Sequence, residues 1–183
     1  MRKSIGFVEV KSIPVGIQTA DEMLKAGNIE IVLATPICPG KYVIIVSGQV
    51  GPVKAAMAKA EMIAGIYLIE NYHIDNINEK VLPAISGVTE VGDVKALGTI
   101  ETISALTSVI AGDIAVKAAK VDIVDIRIAR GLGGKGFLIV TGEVSSVKSA
   151  IQACLNRMGE EGVITSTSVI ASPHKDLIPN ILG

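Results

Sequence analysis

The stretch ATPICPGKY (34–42) holds a lone cysteine, Cys38, between Pro36 and Pro39 and just ahead of Gly40 and Lys41. Free cysteines are usually buried as small hydrophobes. Proline and glycine instead mark turns, and turns lie on surfaces. Cys38-Pro39-Gly40-Lys41 fits a type II turn, with proline second and glycine third, so the thiol is expected at a rigid exposed tip. The other cysteine differs. In VKSAIQACLNRM (147–158), Cys154 shares a helical face with Val147, Ala150, Ile151, Leu155 and Met158, which reads as core. The two cysteines are far apart and form no CxxC pair or disulfide framework, which fits a reducing cytoplasm.

A single thiol builds no metal site. A ring of three identical subunits would bring three to one axis. Three converging thiolates there suit an iron–sulfur cluster, or a zinc ion with one position left open. The remaining candidates are weaker. GLGGKG (131–136) matches G-x-G-x-x-G, but a dinucleotide site needs that motif to open a helix, and the following FLIVTG (137–142) reads as a strand. A close-approach hairpin loop is the better reading. His73 and His174 lack partners at metal-ligand spacing, and no nucleophile–base order or carboxylate pair stands beside them. The chain is therefore not expected to be an enzyme.

The elements that must position Cys38 follow from an internal repeat. IGFVEVKSIPVGIQTADEMLKAGNIEIV (5–32) lies without gaps over LGTIETISALTSVIAGDIAVKAAKVDIV (97–124). Gly6/Gly98, Glu9/Glu101, Asp21/Asp113 and Lys25/Lys117 coincide. After a two-residue insertion in the second copy, KYVIIVSGQVGPVKAA (41–56) matches KGFLIVTGEVSSVKSA (135–150), and VLPAI (81–85) echoes LIPNI (177–181). The expected domains are 1–90 and 91–183, joined near SGVTEVGDVKA (86–96).

Each copy reads β-α-β-β-α-β-α. In the first, strands fall at 4–10, 28–35, 41–48 and about 68–74. Helices fall at 15–27, from Pro52 to about residue 66, and around 79–84. This is an α+β fold, with helices packed on a mostly antiparallel sheet. Lys25 and Lys117 recur near a helix end in DEMLKAG and DIAVKAA. They either complement the helix dipole or mark equivalent edges used for lateral contacts.

Composition narrows the partners. Net charge is −1, with no basic block and few aromatics, which opposes a nucleic-acid surface. Hydrophobic residues make up 49% of the chain, yet the most apolar run, 103–121, is broken by Asp113 and Lys117. It is too short a run to span a bilayer. The start, MRKSIGFVEV, turns polar too soon for a signal peptide. Apolar surface without a membrane points to burial between subunits.

Together, IGFVEVKSI, ADEMLKAGN, TPICPGKYVIIVSG, VLPAISG, GLGGKGFLIVTGEV and SVIASPH (168–174) resemble the bacterial microcompartment shell proteins. The resemblance is to the tandem-domain, trimer-forming class, and within it to the subgroup that carries a [4Fe–4S] cluster. It implies a homotrimer shaped as a pseudo-hexagonal disc, located in a microcompartment shell in the cytoplasm. Discs would tile edge to edge with other shell proteins through Lys25 and Lys117. The loop Pro36, Ile37, Cys38, Pro39, Gly40 and Lys41 would line a central pore. Cys38 would ligate one cluster per trimer on the three-fold axis, passing electrons across the shell toward lumenal redox enzymes. Two other expectations stand beside this one: a pore that conducts small metabolites without a cluster, and a trimeric regulatory protein that binds a small molecule.

Overall fold

A computed structural model describes residues 4–128 and 131–182. The chain forms two compact units, Met1–Ile77 and Asn78–Gly183. Residues 78–90, grouped with the first repeat on sequence grounds, pack with the second unit.

In the first unit, β1 (Ser4–Val10) leads to α1 (Ile13–Ala26), β2 (Ile29–Ile37), β3 (Lys41–Gly48), α2 (Val50–Ala64) and β4 (Leu68–Ile74). The sheet order is β2-β3-β1-β4, and every pairing is antiparallel. The reason for this order lies in the hydrophobic pattern. β1 and β3 are buried along almost their whole length and read as nearly continuous apolar runs, so they take the centre. β2 mixes buried and exposed positions, β4 has only half-buried and exposed ones, and these two form the edges. Val8, Val10, Ile44 and Val46 face Met23 of α1 and Val53, Ala56 and Ala60 of α2 in one core. Pro14 sits in the first turn of α1, where its missing N–H costs nothing.

The second unit opens with α3 (Val81–Ile85). It continues through β5 (Ala96–Thr102), α4 (Ala105–Ala118), β6 (Val121–Ile128), β7 (Gly136–Gly142), α5 (Val144–Met158), β8 (Ile164–Ile170) and α6 (Ile178–Leu182). Its sheet, β6-β7-β5-β8, repeats the first one and is again wholly antiparallel. Even the irregularities recur. β2 shifts register between Ile31 and Leu33, and β6 shifts between Ile123 and Asp125. A bulge that falls at the same step in both copies belongs to the fold rather than to one sequence.

The copies solve one packing problem in opposite ways. A Cβ on Gly16 of α1 would lie 2.5 Å from Tyr42 Cβ on β3. In the second unit the large residue is absent from the strand, and Gly136 faces Ser108 of α4, with a would-be Cβ 2.6 Å from Ser108 Oγ. Either the helix or the strand gives up its side chain where the two cross.

Candidate functional site

The β2–β3 hairpin carries Cys38. Antiparallel pairing runs to Ile37 opposite Lys41, so only Cys38, Pro39 and Gly40 lie beyond the ladder. Gly40 has φ +71°, the left-handed conformation that glycine adopts without a Cβ penalty. The Cys38–Pro39 peptide is cis, a feature the turn pattern did not reveal. Pro36, Cys38, Pro39 and Gly40 are exposed. Ile37 is buried, and so anchors the tip instead of lining its surface.

Lys41 turns away from the tip. Its Nζ donates to Glu9 Oε1 at 2.5 Å, and Glu9 is almost wholly buried on β1. The pair ties the base of the hairpin to the central strand. The counterpart in the second unit, Lys135 with Glu101, spans 2.8 Å but stays open to solvent. There Lys135 and the Thr165 hydroxyl both donate to the Glu101 carboxylate, and these hydrogen bonds hold its pKa below the usual value. Sequence reasoning aligned these residues without pairing them. The available signal was a lone acid in the apolar strand SIGFVEV, because a buried carboxylate requires a partner.

The corresponding β6–β7 loop behaves differently. Gly131, Gly133 and Gly134 all have positive φ, and the loop runs directly into β7 at Gly136. The G-x-G-x-x-G match thus opens a strand and offers no helix N-terminus to a pyrophosphate.

Cys154 is buried in α5, where its thiol donates to the Ala111 carbonyl at 3.4 Å. Desolvation pushes its pKa up to about 12, so its reactive thiolate is scarce at neutral pH. In the native protein a chromogenic disulfide reagent at pH 8 should therefore titrate Cys38 rapidly and reach Cys154 only after denaturation. Two thiols reacting at similar rates would contradict this burial.

Lys25 and Lys117 occupy the last turns of α1 and α4. Each donates to the aspartate four residues earlier, Asp21 and Asp113, at 2.5 Å. The D-x-x-x-K spacing is thus an i,i+4 ion pair that also complements the helix dipole. Hydrogen bonds to Asp21 and Glu22 hold the Lys25 ammonium above its ordinary pKa. His73 and His174 are exposed, and His174 Nδ1 lies 3.6 Å from Asp176. Among the described residues, no three His, Cys, Asp or Glu side chains converge within one chain as a metal site would require. No described helix is long and apolar enough to cross a membrane.

Comparison with known proteins bears on this geometry. The BMC domain model matches residues 4–77 and again 96–173, once per sheet. The bacterial microcompartment shell protein PduT of Citrobacter freundii is 38% identical over 177 residues, covering 97% of this chain and 96% of that protein. The shell protein PduA of the same organism is 34% identical over 89 residues, 45% of this chain and 94% of its own length. Among solved structures, a microcompartment protein from Desulfitobacterium hafniense DCB superposes with TM-score 0.94 at 40% identity, covering 98% of this chain and 99% of that one. A fused permuted hexameric shell protein from the RMM microcompartment shares the fold, with TM-score 0.63 at 19% identity over 86% and 84% of the two chains.

Proposed function

The chain belongs to the BMC-domain family as a microcompartment shell protein of the PduT type, and on that premise we propose that three copies assemble with their β2–β3 hairpins around a common axis and that the three Cys38 thiolates hold one [4Fe–4S] cluster there. The observation that carries this reading is the exposed Cys38 at a hairpin tip only three residues long. One chain supplies one accessible thiol, because Cys154 is buried. Three-fold symmetry converts it into a three-thiolate set, matched to a cluster whose fourth iron takes a small exogenous ligand.

The residues around the tip fit that role. Pro36 and Pro39 restrict the backbone on either side of the ligand. Gly40 allows the chain to reverse without a side chain on the axis. The Glu9–Lys41 pair fixes the hairpin base, so the thiol is aimed by a braced strand pair. Such a cluster supplies one-electron exchange, which in a shell would link the two sides of the wall and serve redox enzymes in the lumen. Lys25 and Lys117 stand on the corresponding helix ends of the two units and would serve the edges where discs meet.

Anaerobic reconstitution with iron and sulfide tests the assignment. Wild type and Cys154→Ala should gain broad visible absorption, with about four irons per three chains. Cys38→Ala should stay colourless. A colourless wild type, or colour that survives Cys38→Ala, defeats the cluster reading and leaves the shell reading intact. Zinc retained in proportion to Cys38 would point instead to a three-thiolate zinc site with its fourth position open.

A further inference from the structure

The internal repeat allows one face to be compared in two states within a single chain. In the second unit, the segment 78–90 lies across the outer edge of β6 and onto α4. The Asn78 N–H donates to Asp113 Oδ1 at 2.8 Å. Lys80 Nζ donates to the Val121 carbonyl at 3.0 Å and to Asp122 Oδ1 at 2.7 Å. The Thr89 hydroxyl donates to the Val124 carbonyl at 2.8 Å. Val81, Ala84 and Ile85 of α3 are buried, and Pro83 and Thr89 border Ile123.

The first unit presents the equivalent face bare. Ile31 on β2 is 42% exposed, whereas its repeat partner Ile123 is 3% exposed. Ile17 on α1 is 56% exposed, whereas Val109 on α4 is fully buried. The Asp21 side chain is 60% exposed against 9% for Asp113. β2 is also an edge strand, with one side of its backbone ladder unused.

The missing cover has a counterpart in the sequence. LIPNI (177–181) repeats VLPAI (81–85). In its own chain α6 lies beside β6 with no residue fully buried, and Leu177 and Leu182 are 40% and 47% exposed. The tail therefore leaves Leu177 and Leu182 open and Ile178 and Ile181 only half-buried, while the first unit's face also stands open.

We propose that the tail 174–182 of one copy docks across α1 and β2 of a second copy, as segment 78–90 docks across α4 and β6 within the chain. Leu177, Ile178 and Ile181 would meet Ile17 and Ile31. The tail brings His174 and Lys175 to a face carrying Asp21 and Glu30, the repeat partners of Asp113 and Asp122. Lys175 supplies one cation for this acidic face. Asp176 stands where Lys80 stands, so the cation that meets the β2 acid moves one position earlier, to Lys175. Each copy offers one tail and one face, and such a head-to-tail contact makes a ring when it closes. This rests on the assembly in the proposed function and is independent of what Cys38 holds.

Site-directed cross-linking tests the placement, because Pro83 and Ile123 border the same hollow and their counterparts are Pro179 and Ile31. Two differently tagged full-length chains, one with Ile31→Cys and one with Pro179→Cys, both in a Cys38→Ser background, are co-expressed and oxidised. A disulfide joining the two tags is expected, and neither variant alone should form it. Ile181→Asp should weaken self-association at least tenfold in sedimentation velocity. A trimer that forms no such disulfide and keeps its affinity in Ile181→Asp overturns the tail placement but spares the assembly. A wild-type chain that sediments as a monomer overturns both.

Discussion

Lys41→Met should lower the stability of the first unit by about 3 kcal/mol, read as a shift in its urea midpoint at unchanged slope. Glu9 is 2% exposed on the central strand β1, and its cation is Lys41 Nζ at 2.5 Å. Removing the lysine leaves a carboxylate that is neither solvated nor paired, the costly way to break a buried ion pair. Lys41 keeps about a quarter of its side chain in solvent (28%), so water reaches one end of the site and the loss sits at the lower end of the usual range. The second unit provides the control. Lys135→Met removes the partner of Glu101, but that carboxylate is 41% exposed and keeps the Thr165 hydroxyl. Exposed pairs contribute little, so this variant should unfold close to wild type. Equal shifts for the two lysines would mean that burial of Glu9 does not set the energetics of the hairpin base.

The second large effect concerns Gly16. Helix propensity alone favours alanine over glycine inside α1 by about 1 kcal/mol. Packing argues the reverse, since the new methyl would lie 2.5 Å from Tyr42 Cβ and 2.6 Å from its Cγ. The contact is with the rigid root of a buried side chain, so relief requires α1 and β3 to separate. Gly16→Ala should therefore destabilise by about 2–3 kcal/mol, as over-packing does elsewhere. The double variant Gly16→Ser with Tyr42→Gly copies the Ser108–Gly136 arrangement of the second unit. It should be more stable than the sum of its single changes by about 1–2 kcal/mol, a coupling typical of residues in contact. A stabilised Gly16→Ala, or strict additivity in the double variant, would show that the crossing has slack.

Much of the fold was legible because the repeat doubled every signal. The strand at 4–10 and the helix near 15–27 occur again at 96–102 and 105–118 in the same order, so a pattern ambiguous in one copy was read in two. The reading expected mostly antiparallel sheets, the described pairings are all antiparallel, and the helices follow from the same reading. The places where it fell short involve choices made in three dimensions. Residues 78–90 carry no helical stripe of their own beyond VLPAI, and their packing on α4 and β6 depends on Asp113, Asp122 and Val124, distant in sequence. Ile37 lies within the hairpin motif yet is buried, because the ladder extends two residues beyond the expected strand 28–35. Glu9 and Lys41 are joined by strand register across 32 positions, and no local spacing encodes that. Cys38 and Cys154, by contrast, were separable at once: a turn flanked by prolines and an apolar helical face demand opposite environments.

The two hairpins also show what covalent duplication does to the reach of a point change. In a closed assembly of identical one-domain chains, any substitution is copied to every position around the axis. A chain with two copies of the fold delivers it to alternate positions only. The first hairpin is short, proline-bounded and carries a thiol; the second is longer, glycine-rich and carries none. Fusion thus halves the dosage of each new side chain and lets the two loops diverge.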